Sequence, residues 1–270
     1  MTLEDVYTHG HHESVLRSHR WRTAENSAAY LLPHLSAGQS LLDVGCGPAT
    51  ITVDLARRVA PGEVVGVDVS AAVLEIARET AAGAGVTNVR FQTGDALALP
   101  FADDTFDVVH AHQLLQHLTD PVGALRELRR VTRPGGVVAV RDADFSAMTW
   151  YPESDGLREW LDLYHEVTAA NRAEADAGRR LLAWALDAGF EPGGLRPGAG
   201  VWCYATAQER EWWSGLWAER VTSSDLARQA VAYGLADDVG LEVLADAWRA
   251  WGEAPDAWFA VLHGELIARA

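Results

Sequence analysis

Between residues 40 and 142, short uninterrupted apolar runs alternate with stretches whose apolar residues recur every three or four positions. That is the pattern of parallel strands buried on both faces and joined by amphipathic helices. SLLDVG (40–45) predicts a strand ending in a glycine turn, and ATITVDLARRV (49–59) a helix with Ile51, Leu55 and Val59 on one side. EVVGVDVS (63–70) reads as a second strand. Ser70 is placed to cap the helix AAVLEIARETAA (71–82), which Gly83 stops. NVRFQTGD (88–95) and FDVVHAH (106–112) add two strands, and PVGALRELRRV (121–131) a helix with Pro121 in its first turn. A fifth strand, VVAVRD (137–142), follows the glycine turn RPGG (133–136). Right-handed crossovers bring the carboxyl ends of these strands, and hence any ligand, to one edge of the sheet.

Beyond residue 144 the pattern changes. Ten of the eleven tryptophans lie there, mixed into helical stretches such as LREWLDLYHEV (157–167) and EREWWSGLWAERV (209–221). RRLLAWALDAGF (179–190) predicts the last helix against the sheet, while AGVWCYAT (199–206) and AWFAVLHGELIARA (257–270) predict two closing strands. The helices between those strands, over 207–254, read as a cap inserted before the last strand and lying over the ligand edge. Ahead of the sheet, residues 4–35 predict one or two helices ending near Pro33.

Charge removes whole classes of partner. The net charge is −16, and all 22 basic residues are arginine. A nucleic acid or an anionic membrane surface would be repelled on average. The absence of lysine also removes Schiff-base chemistry and the P-loop lysine. No apolar run approaches the roughly 20 residues that span a bilayer, and MTLEDVYTHG lacks a signal pattern, so a cytoplasmic location is expected. Cys46 and Cys203 fit a reducing compartment and form no zinc motif.

The stretch LLDVGCGPAT (41–50) resembles a dinucleotide fingerprint at first, but Thr50 stands where the third glycine belongs. Gly45 and Gly47 allow positive φ and close backbone approach to a ligand. Asp68, ending the next strand, is placed to accept two ribose hydroxyls. Asp95 follows the third strand, where a carboxylate can accept from an exocyclic amine; Ala96 offers a backbone N–H, and Leu97 and Leu99 supply apolar walls. For Asp95 alone, a solvated turn residue is the plainer alternative. In HAHQLLQHL, His112 falls at the ligand edge, whereas the five-residue offset to His117 would point elsewhere on a helix. Asp142 and Asp144, after the fifth strand, could orient or deprotonate a substrate, with Arg141 pairing one of them. THGHHESVLRSHRW (8–21) is histidine-rich, yet Leu16 breaks the H-E-x-x-H pattern and His12 with His19 lacks a third ligand, so no metal is expected.

Taken together, LLDVGCGPAT, VVGVDVS, QTGDALALPFADDTFDVVHAHQLLQHLTDP and LRRVTRPGGVVAV occur in the order and spacing of the class I S-adenosylmethionine (SAM) dependent methyltransferases. The chain resembles in particular the ubiquinone and menaquinone biosynthesis group, over about residues 40–142. The departure is Ala49, where the family usually has glycine. The resemblance implies a Rossmann-like, mostly parallel seven-stranded α/β sheet flanked by helices. It implies N-terminal lid helices (1–37), a SAM-binding core (38–206 and 255–270) and the cap at 207–254. It places Asp43 and the turn Gly45, Cys46 and Gly47 at the methionine portion of SAM, Asp68 at the ribose, and Asp95 with Ala96 at the adenine. His112 and Gln113 would approach the sulfonium. Val69, Gly94, His117 and Arg20 complete the cofactor-side candidates, and Tyr7, His19 and Arg22 could join Arg20 in lid contacts. SAM carries no phosphate and a net positive charge, so an acidic rim without a phosphate loop suits it.

The expected activity is methyl transfer from SAM, leaving S-adenosylhomocysteine, to a small and partly apolar or aromatic acceptor. His112 and Asp142 are the candidate catalytic residues. Several tryptophans either line the acceptor pocket or pack the cap. A homodimer is compatible with this reading. Two alternatives stand beside it: a SAM-binding protein that senses the cofactor without transferring methyl, and, against the Ala49-Thr50 evidence, a nicotinamide-dependent oxidoreductase.

Overall fold

Strands that are apolar on both sides need cover on both sides, and the topology supplies it. The computed structural model describes Thr8 and residues 18–270. A short helix, Ala24–Ser27 (α1), precedes the first strand, Leu41–Val44 (β1), which is buried at every position. Then come Thr50–Val59 (α2), Val64–Asp68 (β2), Ala71–Gly83 (α3), Val89–Thr93 (β3), Phe106–His112 (β4), Pro121–Val131 (α4) and Thr132–Ala143 (β5). β3, β2, β1, β4 and β5 lie side by side in that order, all parallel. Ser70 caps α3 and Asp120 caps α4, each side chain accepting a backbone N–H of the first turn, with Pro121 at the first helical position.

The second half is Thr149–Tyr151 (β6), Asp155–Ala170 (α5), Ala177–Asp187 (α6), Leu195–Tyr204 (β7), Ala207–Ser223 (α7), Asp225–Ala232 (α8), Asp238–Glu253 (α9) and Trp258–Arg269 (β8). β8 runs antiparallel between β5 and β7, and its first residues also pair with β6. The sheet therefore has eight strands where the periodicity predicts seven. The extra one, only three residues long, extends the edge that β5 vacates at Ala143, too short a run to show alternation.

Helices α7, α8 and α9, which lie between β7 and β8 in the chain, pack into a cap that α5 joins. Their shared interior is aromatic. Fully buried Trp160 on α5 meets Trp217 on α7 edge-on at 4.5 Å and Trp248 on α9 at 4.8 Å between ring centres. Phe259 on β8 lies 5.4 Å from Trp248, so the same cluster ties the cap to the sheet. Edge-to-face contacts of this kind add to the large area each indole buries.

Among the described residues no helix is long and apolar enough to cross a membrane. Replacing Trp160 with alanine should lower unfolding stability by about 3–5 kcal/mol in urea titrations, the usual cost of emptying a packed indole site. A loss under about 1 kcal/mol would show that this cluster does not hold the cap in place.

Candidate active site

The site begins where β1 ends. Asp43 is buried there, and its two carboxylate oxygens have separate partners: Oδ2 accepts from Thr52 Oγ1 on α2 at 2.5 Å, and Oδ1 lies 2.7 Å from His110 Nδ1 on β4. Asp43 thus reaches the cavity wall, but its hydrogen bonds run into the protein rather than toward a ligand. The glycine turn that follows is pinned from the next strand, since Gly45 and Cys46 donate to the Val67 carbonyl at 2.8 and 3.0 Å. Gly45 (φ +71°) and Gly47 (φ +53°) are left-handed, and a Cβ on Gly45 would stand 3.1 Å from Leu114 Cδ1. Ala49 is left-handed as well (φ +65°), at a cost of roughly 1–2 kcal/mol for a residue with a Cβ. The turn accepts alanine because its methyl group is fully buried.

At the end of β2, Asp68 accepts the Gly47 N–H at 3.1 Å on one oxygen and the Ser70 N–H at 3.0 Å on the other. Each oxygen keeps a second lone pair. Val69 beside it is 74 % exposed, an apolar side chain left uncovered at the ligand edge. After β3, Gly94 leaves no room for a Cβ, which would meet Val67 Cγ1 at 2.9 Å. Asp95 is exposed and turns the chain by accepting the Leu97 N–H at 2.8 Å, while Ala96 is buried.

The end of β4 carries the most constrained residues. His112 lines the cavity, and neither ring nitrogen has a hydrogen-bond partner among the described residues. Burial, reinforced by Arg22 and Arg141, holds it well below the usual imidazole range, so it is neutral. Gln113 is left-handed (φ +51°) and sits at the centre of a directed chain. Arg22 can only donate, and does so to Gln113 Oε1 at 2.5 Å, which turns the amide nitrogen to His263 Nε2 at 2.8 Å. His263 therefore carries its proton on Nδ1 and donates it to the Val261 carbonyl at 3.2 Å.

The next residues form a 3-10 turn, Leu115–His117, which brings His117 to the same cavity as His112. The helical-offset reading of this pair fails because the segment is strand, left-handed residue and turn. Gln116 takes the Ala143 N–H on Oε1 at 3.1 Å and so donates its amide to His117 Nε2 at 3.0 Å. Burial, with Arg22 and Arg220 nearby, takes His117 down to about 3.

One cavity of about 960 Å³ contains these groups. One end is formed by the glycine turn, Asp68, Val69 and the Gly94–Leu97 loop; the other is aromatic, with Tyr204, Trp212, Trp213, Trp217 and Phe145 in its wall. The first end is built from consecutive strand ends, the positions that the sequence pattern marks. Sequence reading names the tryptophans without sorting them. Trp202, Trp212, Trp213 and Trp217 line the cavity, whereas Trp160, Trp248 and Trp251 pack the cap. Ser18, Gln116, Met148 and Arg220 line it too, and no local pattern marks them.

Two expected site residues are corrected. Asp142 is fully buried and absent from the cavity wall, because strand alternation turns it to the opposite side from its wall-lining neighbour Ala143; its Oδ1 accepts the Gln116 N–H at 3.1 Å. Arg20 is exposed and outside the cavity, which Ser18, His19, Trp21 and Arg22 line instead. Nor does Arg141 pair with Asp142 or Asp144: it pairs with Glu265 at 3.0 Å, and Asp144 with Arg179. Tyr7 and His12 lie outside the described residues.

A family model described as a methyltransferase domain matches residues 35–212. An uncharacterised methyltransferase of Schizosaccharomyces pombe is 35% identical over 275 residues, covering 97% of this chain and 95% of the relative. A demethylmenaquinone methyltransferase of Staphylococcus aureus is 42% identical over 102 residues, which is 37% of this chain and 42% of the relative. Among solved structures, the [4+2]-cyclase SpnF superposes with a TM-score of 0.51 at 25% identity, over 93% of this chain and 80% of that one.

Burial raises the Asp142 carboxyl to about 8. Between the ordinary carboxyl range near 3.9 and that value, the folded state keeps a proton the unfolded chain has released, so stability falls as pH rises through this window. Asp142→Asn should remove that fall and gain stability over the parent between about pH 5 and pH 8, as followed by urea denaturation. Parallel curves for the two proteins would show that the buried carboxyl is not protonated.

Proposed function

This chain belongs to the SAM-dependent methyltransferases, and we propose that it methylates a small, partly apolar or aromatic acceptor held in the tryptophan-lined end of the cavity. The observation that carries this reading is the continuity of the cavity. Its acidic, glycine-turned end and its aromatic end belong to one space, whose wall also carries His112 and Gln113. Bound at the first end, SAM supplies a methyl group on a cationic sulfonium.

The residues at that end fit the cofactor. Asp68 has lone pairs left for ribose hydroxyls, and the Gly94–Ala96 loop gives an adenine a carboxylate, a backbone N–H and the apolar flank of Val69 and Leu97. The left-handed turn at Gly45–Gly47 lets the backbone come close to the amino-acid portion, with Arg22 across the cavity for its carboxylate. Asp43 supports this turn from behind. At the junction, His112 and His117 are held neutral, and their imidazolium forms are too disfavoured for either to be an effective proton acceptor. The chain's own contribution is therefore to align the acceptor and exclude water, and the acceptor must be nucleophilic as it is bound.

The likeness to a cyclase of the same fold gives a second reading, a cofactor held without transfer. Methyl-labelled SAM offered with a panel of phenols, enols and amines separates the two: labelled product supports transfer, and SAM binding without product from any acceptor supports the second. Asp68→Ala should weaken SAM binding about 100-fold by calorimetry, the loss of two hydrogen bonds to a charged acceptor. Unchanged affinity would overturn the ribose assignment.

A further inference from the structure

We propose that the aromatic end of the cavity selects an oxygen-bearing ring, uncharged or anionic, and rejects ammonium acceptors, with Tyr204 as the residue that reads the oxygen. This rests on the reading that this end holds the methyl acceptor.

Three wall residues carry the inference. Tyr204, Trp213 and His112 all line the cavity, and each is more than nine-tenths buried. The Tyr204 hydroxyl, the Trp213 indole nitrogen and both His112 ring nitrogens have no hydrogen-bond partner among the described residues. Polar groups this deeply buried are ordinarily satisfied. An indole N–H can only donate, and a hydroxyl or neutral imidazole has a donor to offer as well. A ligand that presents oxygens satisfies such a wall. A ligand that presents only N–H donors leaves the indole unmet.

Charge points the same way. Among the described residues, the carboxylates in the cavity wall are Asp43, Asp68 and Asp95, all at the glycine-turned end. Two of the indole faces in the wall, the kind that hold an ammonium by cation–π attraction, already have a cation: Arg220 stands 4.6 Å from the Trp217 ring centre and Arg22 5.6 Å from that of Trp202. The depression of His117 by burial and by these two arginines shows how the local field treats a further positive charge. Tyr204 and Trp213 stack on each other at 4.3 Å with 16° between planes, which fixes the hydroxyl and the indole N–H relative to one another.

The test uses the full chain saturated with S-adenosylhomocysteine, titrated calorimetrically with two probes of similar size, 1,3-dihydroxynaphthalene and 2-naphthylmethylamine. The dihydroxy probe should bind at least tenfold more tightly. Tyr204→Phe, which keeps the ring and its packing, should weaken that probe about tenfold while leaving S-adenosylhomocysteine affinity unchanged. Equal or tighter binding of the amine, binding of neither probe, or no effect of Tyr204→Phe would overturn the proposal. A methylated amine from labelled SAM would also overturn it and leave the methyltransferase reading intact. Failure to bind S-adenosylhomocysteine at all would instead strike that earlier reading.

Discussion

A buried carboxylate with both oxygens occupied is the joint on which the site depends. Asp43 ends β1, and through Thr52 and His110 it fixes the start of α2 and the adjacent strand β4. An unpaired charge at that depth would be costly, so the three elements must arrive together for the fold to be stable there. Their convergence sets the glycine turn between β1 and α2, and the turn then receives its second constraint from Asp68. The residue that a motif reading assigns to the ligand thus spends both carboxylate oxygens on the protein and holds the elements on either side of the glycine turn together.

Strand β8 performs the comparable task at the other end. It is the partner of β5, β6 and β7 at once, and its Phe259 and Val261 face the cap and the cavity. Because the cap helices precede β8 directly in the chain, their aromatic core and the sheet share one hydrophobic cluster. The aromatic end is accordingly built from packed parts, with indoles in its walls and no need for an apolar ligand to fill the core. The distinction between lining and packing tryptophans follows from this. Residues of α7 and β7 border the open space, while α5 and α9 lie behind them.

The glycine-turned end was legible because its residues come from successive strand ends, where the two-residue alternation and the glycine punctuation are local signals. The order of the strands and the cap at Ser70 rest on such signals, whereas β5 starts at Thr132 and takes in the expected glycine turn 133–136, and β7 starts at Leu195 rather than at 199. Asp142 shows where the signals stop. Its position at the carboxyl end of β5 was readable, but which side of the strand faced the cavity depended on the pairing with β4 and β8. His117 shows a second limit, since a left-handed Gln113 converts an apparent helical offset into a turn. Arg22, Gln116, Tyr204 and Arg220 come from four separate segments, and only the tertiary fold puts them around one space.

Gln113 is also the point where the two ends are made to act together. A left-handed residue with a full side chain is held only where its surroundings over-determine it. Here the Arg141 carbonyl takes its N–H at 2.7 Å, while Arg22 and His263 take opposite ends of its amide. Reversing the amide would set two donors against each other at Arg22, so the direction of the chain from Arg22 to Val261 is fixed. The consequence is electrical as well as structural: Arg22 and the neutral His112, His117 and His263 cluster around Gln113, while Asp43, Asp68 and Asp95 stay at the glycine-turned end, so the charge of the cavity wall is divided between its two ends.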